Sequence, residues 1–268
     1  MRTDAPREIA DGVRVVVVGA GPLSTNVYLV GSSSSWVLID TGWPRCGPAI
    51  RRAAEAAFGP GTRPGAILLT HLHPDHSGSV RDLVAAWRTP VFVHPRELPL
   101  AAGYVPEYAN PLDRRVLLPL LNLLPRGTRE RVLRSGNLAG VVQALDPSAP
   151  PPGLPEWQCV PAPGHTPGSI AFFRPDDRLL VTGDAVLTVD LTTVRGLLGR
   201  WSQVAPPLRF TDWDRTATEA TIAAVARLEP RGLAPGHGQP RIGPAVAPGL
   251  RALADRLAGD RGTTASAS

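Results

Sequence analysis

The chain has 268 residues, 43% of them hydrophobic and 19% charged, the balance of a folded enzyme-sized unit rather than a disordered one. All 28 basic residues are arginine against 23 acids, a net charge of +5, and no arginine run alternates with aromatics, so a nucleic-acid partner has no support. Two cysteines, Cys46 and Cys159, are too few for a disulfide framework and lack metal-ligand spacing. The first residues, Met1 to Glu8, carry acids and a proline where a signal peptide would be apolar, and no 18-residue apolar stretch follows; the expectation is a cytoplasmic protein that does not span a membrane.

In chain order, the β-branched runs Arg14 to Val18, Asn26 to Val30 and Trp36 to Ile39 are separated by Gly and Ser clusters and predict a β-meander. An alanine-rich helix over Pro48 to Phe58, a strand Ala66 to Leu69, a helix Val80 to Trp87 and a strand Val91 to Val93 follow, which is the alternation of an α/β protein. Residues 95–155 break that rhythm. Their apolar run Val116 to Leu124, flanked by Arg114, Arg115 and Arg126, and the stretch Thr128 to Leu145 predict a helical insertion whose leucines cover the core, a second subunit or the mouth of a site. Strands near Trp157 to Val160, Ser169 to Phe173 and Leu179 to Val181 come next, then a long loop from Thr188 to Arg209. A helix capped by Thr211 or Asp212 and a last helix through Leu250, Leu253, Ala254 and Leu257 complete a single domain over 1–258, with a disordered tail at 259–268.

Five of the six histidines lie in loop motifs. Thr70-His71-Leu72-His73-Pro74-Asp75-His76 puts three imidazoles and a carboxylate directly behind an apolar strand, a density that packing does not explain and a metal does. His71 and His73, two apart in an extended loop, point the same way and reach one ion, with His165 of Pro163-Gly164-His165 as a third nitrogen. Asp75 and His76 face a second position that His237 completes, and Asp184 bridges, because a carboxylate has two oxygens to share. An all-nitrogen-and-oxygen set suits two zinc ions per chain, with iron or manganese as alternatives. His94, ahead of Pro95, reads as structural.

These residues resemble the metallo-β-lactamase superfamily, whose His-x-His-x-Asp-His, Gly-His, Gly-Asp and final Gly-His they match in order. Asp40-Thr41-Gly42 looks like that family's structural turn, with Asp40 hydrogen-bonding the metal loop rather than ligating. The resemblance implies a four-layer αβ/βα sandwich with the metals at one edge between two β-sheets. It also implies a metallo-hydrolase in which a hydroxide between the metals attacks a carbonyl, oriented by Asp75 as catalytic residue.

The family spans many substrates. No cysteine stands at Asp184, against a zinc-thiolate β-lactamase; only 31 residues follow His237, against the helical domain with which glyoxalase II enzymes bind glutathione; and Leu187 stands where lactonases place a tyrosine. Extra phosphate-binding arms, as in phosphodiesterase relatives, are absent. The resulting expectation is hydrolysis of an ester, thioester or lactone, with an apolar body met by the insertion. Tyr104 and Tyr108 are candidate oxyanion donors, and Arg114, Arg115, Arg195 and Arg200 candidate partners for an anionic handle. The alternatives are an iron-dependent oxidoreductase of the persulfide dioxygenase type, or β-lactamase or phosphodiesterase activity, and the leucine-rich insertion favours a homodimer.

Overall fold

The apolar runs alternate between two destinations, and that alternation builds the layers. In β2 (Val13–Val18), Val13 and Val15 face one way and Val16 and Val18 the other; in β4 (Ser35–Ile39), Val37 and Ile39 part from Trp36 and Leu38 in the same manner. Successive strand residues point to opposite faces, so a strand buried on both sides reads as a continuous apolar run. The computed structural model describes residues 5–21, 24–32, 35–193 and 202–265.

One sheet has seven strands in sequential order. The strands β1 (Arg7–Ala10), β2, β3 (Thr25–Ser32) and β4 form the antiparallel meander, and β5 (Ala66–Leu68), β6 (Val91–Val93) and β7 (Val142–Ala144) extend it in parallel. The second sheet runs β14-β13-β10-β9-β8, from β8 (Gln158–Pro161), β9 (Ile170–Arg174), β10 (Leu179–Gly183), β13 (Gly232–Pro235) and β14 (Arg241–Ile242). A separate ribbon pairs β11 (Leu187–Val189) with β12 (Ser202–Ala205).

Between the sheets lies a core that includes Val15, Val30, Ile39, Leu68, Ile170, Phe172 and Val181. The outer face of the first sheet is covered by α1 (Gly47–Phe58) and α3 (Val80–Trp87), with Ile50, Leu83 and Trp87 against Leu38, Ile67 and Val91. The outer face of the second is covered by α7 (Arg215–Arg227) and α8 (Val246–Ala265), through Ile222, Val225, Leu250 and Leu253 against Phe173, Leu180 and Leu233. The result is the four-layer αβ/βα sandwich.

Several expectations are corrected. The insertion does not extend over 95–155 as helix: α4 (Leu98–Ala102), α5 (Leu118–Leu123) and α6 (Arg126–Ser135) end at residue 135, and β7 then rejoins the main sheet, its pairing with β6 outweighing a weak local pattern. The cap of α7 is neither Thr211 nor Asp212 but Asp214, whose Oδ1 accepts from the Ala217 backbone N–H at 3.0 Å. The tail expected from Gly259 is helical as far as Ala265, continuing α8. Arg195 and Arg200 lie outside the described residues. Cys46 and Cys159 are free thiols; burial pushes Cys159 up to about 11. No helix among the described residues is long and apolar enough to cross a membrane.

Candidate metal centre

Each candidate ligand stands just after a strand, where the backbone leaves the sheet and side chains converge at one edge of the sandwich. His71 and His73 follow β5, His165 follows β8, Asp184 follows β10 and His237 follows β13. Asp75 and His76 sit on α2 (Pro74–Ser77), a single turn begun by Pro74, whose fixed φ suits a first helical position.

The seven side chains form two clusters. His71, His73 and His165 offer one ligand atom each within 4.8 Å of one another, and Asp75, His76, Asp184 and His237 do the same. Asp184 reaches both groups: its Oδ2 is 3.5 Å from His165 Nε2 and 3.4 Å from His237 Nε2, and its Oδ1 is 3.4 Å from His76 Nε2. His73 Nδ1 approaches His165 Nε2 at 2.9 Å, and Asp75 Oδ2 lies 3.0 Å from His237 Nε2.

Outside the clusters, hydrogen bonds orient the rings. His76 Nδ1 donates to Asp40 Oδ2 at 2.8 Å, and His237 Nδ1 donates to the Ser24 carbonyl at 2.8 Å. His71 Nδ1 is 3.1 Å from Thr70 Oγ1, whose own proton goes to Asp40 Oδ2 at 2.8 Å. His165 Nδ1 faces Asp212 Oδ1 at 3.4 Å, and Arg215 holds that Asp by its other oxygen. These four imidazoles therefore carry a proton on Nδ1 and turn Nε2 inward, the arrangement that second-sphere partners impose on metal-binding histidines. His73 is the exception, with Nδ1 inward.

The inward atoms test whether a cation fits. His71 Nε2, His76 Nε2 and Asp184 Oδ1 are buried without a hydrogen-bond partner, and each buried unpaired polar atom costs about 1–3 kcal/mol. Gly236 leaves room for the site: a Cβ there would lie 2.2 Å from Asp184 Oδ1 and 2.6 Å from His76 Cε1. Inward lone pairs on imidazole and carboxylate, orphaned and crowded, are the donor set of a divalent cation of the zinc or iron type.

The charges agree. Burial lowers His73 to about 3, helped by its neighbour His165, and burial likewise holds His71 well below its ordinary value. For His76 and His237 burial acts downward but is outweighed by carboxylates, chiefly Asp184, which raise His76 well above its usual value and bring His237 to about 10. Burial would raise Asp75 and Asp184, yet the imidazoles beside them hold both below the ordinary carboxylate range. The metal-free site thus sets two imidazoles held toward the neutral form, His71 and His73, near a cationic pair, His76 and His237, balanced by acids.

Sequence reasoning missed the supports. Asn26 Nδ2 donates to the carbonyls of Pro235 (2.9 Å) and Gly238 (2.7 Å), and the Tyr28 hydroxyl donates to Pro235 O (2.6 Å), so the meander of the first sheet grips the His237 loop. Glu97, also missed, is fully buried. Burial raises its carboxyl, against the pull of donors from Thr166, Gly168 and Leu72. Asn26 and Tyr28, two apart in β3, share a face of the sheet, but nothing local hints at their partners. His94 lies outside both clusters and accepts from Arg96 N, capping the turn Pro95–Glu97.

Of the substrate-contact candidates among the described residues, only Tyr108 is brought to the edge of the centre. It meets Trp213 edge-on at 6.1 Å; Trp213 N donates to the His165 carbonyl, and its indole N–H to Glu107 O at 2.8 Å. Tyr104 and Arg115 are exposed, and Arg114 is exposed with its guanidinium on the Pro106 carbonyl.

Fold and site together define a metallo-β-lactamase architecture, and the chain belongs to the metallo-β-lactamase superfamily, whose model matches residues 20–237. It is 38% identical over 265 residues to the probable metallo-hydrolase YflN of Bacillus subtilis (strain 168), covering 96% of this chain and 95% of that one. A solved structure of TTHA1623 in a di-iron-bound form matches with TM-score 0.52 and 28% identity, covering 84% of this chain and 93% of the other. Over 88 residues the chain is 41% identical to the thioesterase pkgB of Emericella nidulans, 29% of this chain and 25% of that one.

Proposed function

We propose that this protein is a metal-dependent hydrolase that uses two ions to cleave an ester, thioester or lactone. The observation that carries the reading is the pair of donor clusters with Asp184 in reach of both, closed around unpartnered inward atoms. His71, His73 and His165 would hold one ion, Asp75, His76 and His237 the other, and Asp184 would share its oxygens between them. A pair of such ions, when bound, lowers the pKa of a water and polarises a carbonyl oxygen; zinc is the metal we propose.

The protein's own groups then divide the remaining work. Asp75 is the most open of the carboxylates, its side chain 16% exposed against 9% for Asp184, so it is the one that can touch a reacting water. Held deprotonated by His76 and His237, it accepts a hydrogen bond from that water and fixes its direction. His71, His76 and Asp184 are shielded from solvent, which keeps the local dielectric low and strengthens each charge interaction at the centre.

The insertion forms one wall. Besides the Tyr108–Trp213 contact, Leu112 N donates to Phe210 O at 2.9 Å, which ties the insertion to the loop next to His165. Leu120 and Leu123 stand exposed on it, Leu123 at 80%, an apolar surface that suits a substrate with an apolar body. The local likeness to a thioesterase supports the carbonyl class.

The di-iron form of TTHA1623 favours a second reading, an iron-dependent oxidoreductase on the same scaffold. Elemental analysis of protein purified without added metal, run with ester, thioester, lactone, β-lactam and phosphodiester substrates and with oxygen uptake, separates the two. Two zinc ions with turnover on one carbonyl class is the expected result. Iron with oxygen uptake and no hydrolysis would replace the hydrolase reading.

A further inference from the structure

We propose that Glu97 is a positioning residue of the centre: its carboxylate staples the His71–His73 loop to the His165 loop and thereby sets the three-histidine position. The inference rests on the two-ion reading above. Glu97 ends the turn Pro95–Glu97 that follows β6, and its side chain is 0% exposed. Oε2 accepts from Leu72 N at 3.0 Å, and Leu72 is the residue between His71 and His73. Oε1 accepts from Thr166 Oγ1 at 2.7 Å and Gly168 N at 2.8 Å, and Thr166 is the residue after His165.

One side chain thus joins two loops that leave different sheets, β5 in the first and β8 in the second. The geometry is tight on both sides. A Cβ on Gly168 would meet Glu97 Cγ at 2.8 Å and Oε1 at 2.9 Å, so this glycine is what lets the second loop approach the carboxylate. Thr166 is fixed in turn by Ser169, whose Oγ lies 2.8 Å from Thr166 Oγ1 and accepts from Thr166 N at 3.1 Å.

A role in general cohesion alone explains this poorly. Burying a carboxylate carries a desolvation cost of several kcal/mol, and apolar replacements of buried ionic groups are often neutral or better. What a carboxylate offers over an apolar side chain is three fixed acceptor bonds, and here one goes to the residue between His71 and His73 and the other two to residues one and three positions after His165. None reaches Asp75, His76 or His237. Glu97 therefore acts on one metal position and not on the other.

The test uses the full chain, with zinc titrated against a competing chelator and cobalt as the spectroscopic probe. In Glu97→Gln an amide N–H₂ faces at least one of the donors, and the three-histidine ion should bind about 10–100-fold more weakly, the range typical when a group supporting metal ligands is lost. The other ion should stay within a few-fold. His73→Ala supplies the reference: the cobalt spectrum of the ion retained in Glu97→Gln should match that retained in His73→Ala. If Glu97→Gln does not fold, Thr166→Val removes one of the three bonds and should weaken the same ion several-fold, with Thr166→Ser close to wild type. Equal weakening of both ions, or a lower melting temperature with unchanged affinities, would make Glu97 a structural residue only. If wild type binds no ion, the two-ion reading falls with this one; if it binds two and the variants bind both normally, only the Glu97 proposal falls.

Discussion

Asp40→Asn isolates how the protein chooses the protonation of its own ligands. Asp40 is 1% exposed and accepts from Thr70 N, Thr70 Oγ1 and His76 Nδ1, each at 2.8 Å. Its φ is +62°, a left-handed conformation that Asn adopts readily, whereas Ala would add about 1–2 kcal/mol of backbone strain. Asparagine can still accept from Thr70 N through its oxygen. Its N–H₂ then occupies the place of Oδ2, a donor facing two donors. Thr70 can rotate its hydroxyl, but His76 can answer only by giving up its Nδ1 proton and keeping one on Nε2, the atom aimed at Asp75 and Asp184.

The magnitude follows from that conflict. A hydrogen bond to a charged group contributes about 1.5–3 kcal/mol, so its loss weakens the ion at the Asp75–His76–His237 position by about 10–100-fold. The three-histidine ion should weaken less, because His71 feels Asp40 only through Thr70. The assay is zinc affinity by chelator competition with elemental analysis, alongside nitrogen NMR of the imidazole rings to read the tautomer of His76. Unchanged affinity at both positions with an altered tautomer would refute the claim that the tautomer controls binding. An unchanged tautomer would refute the role assigned to Asp40.

Further expectations follow from the same geometry. Asp75→Ala should abolish hydrolysis while circular dichroism shows the fold intact; near-normal turnover would remove Asp75 from the mechanism. His94→Ala should leave turnover within a few-fold, since that ring only caps the turn Pro95–Glu97, and a larger loss would show that the turn position matters to Glu97. Metal uptake at pH 7 should expel protons, because in the metal-free protein His237 titrates at about 10 and His76 well above its usual value. Both are protonated below those values and must give up that proton to bind, so affinity should rise with pH through the neutral range. Calorimetry in two buffers of different ionisation enthalpy measures the release. Replacing 116–124 by a short Gly-Ser linker should change preference among acyl-chain lengths with metal content unaltered; an equal effect on all substrates would show that the exposed leucines do not meet the substrate.

What was legible in the sequence differs from what was not for a physical reason. A metal demands several nitrogen and oxygen donors at one point, and a hairpin of loop can supply four of them within six positions, so His71, His73, Asp75 and His76 stand out by density. Periodicity exposed α1 and α3 because one face of each is buried and the other exposed, and the meander strands because both their faces are buried. Strand β7 escaped because three residues with only Val142 buried carry no period, and it exists through pairing with β6. Thr and Asp at the spacing of Thr211 and Asp212 read as helix caps, but Asp214 does that work, which leaves Asp212 to face His165. Glu97, Asn26 and Tyr28 had no signal at all, since a support needs only one polar atom arriving from anywhere in the chain. Density thus marks the ligands but says nothing of what distinguishes the two metal positions. That distinction lies in the supports: Asp40 bears directly on His76 and through Thr70 on His71, while Glu97 bears on the three-histidine loops alone. Two ions held by similar donors can therefore differ in affinity through residues that no motif contains, and substitutions at Asp40 and Glu97 should weaken them in opposite order.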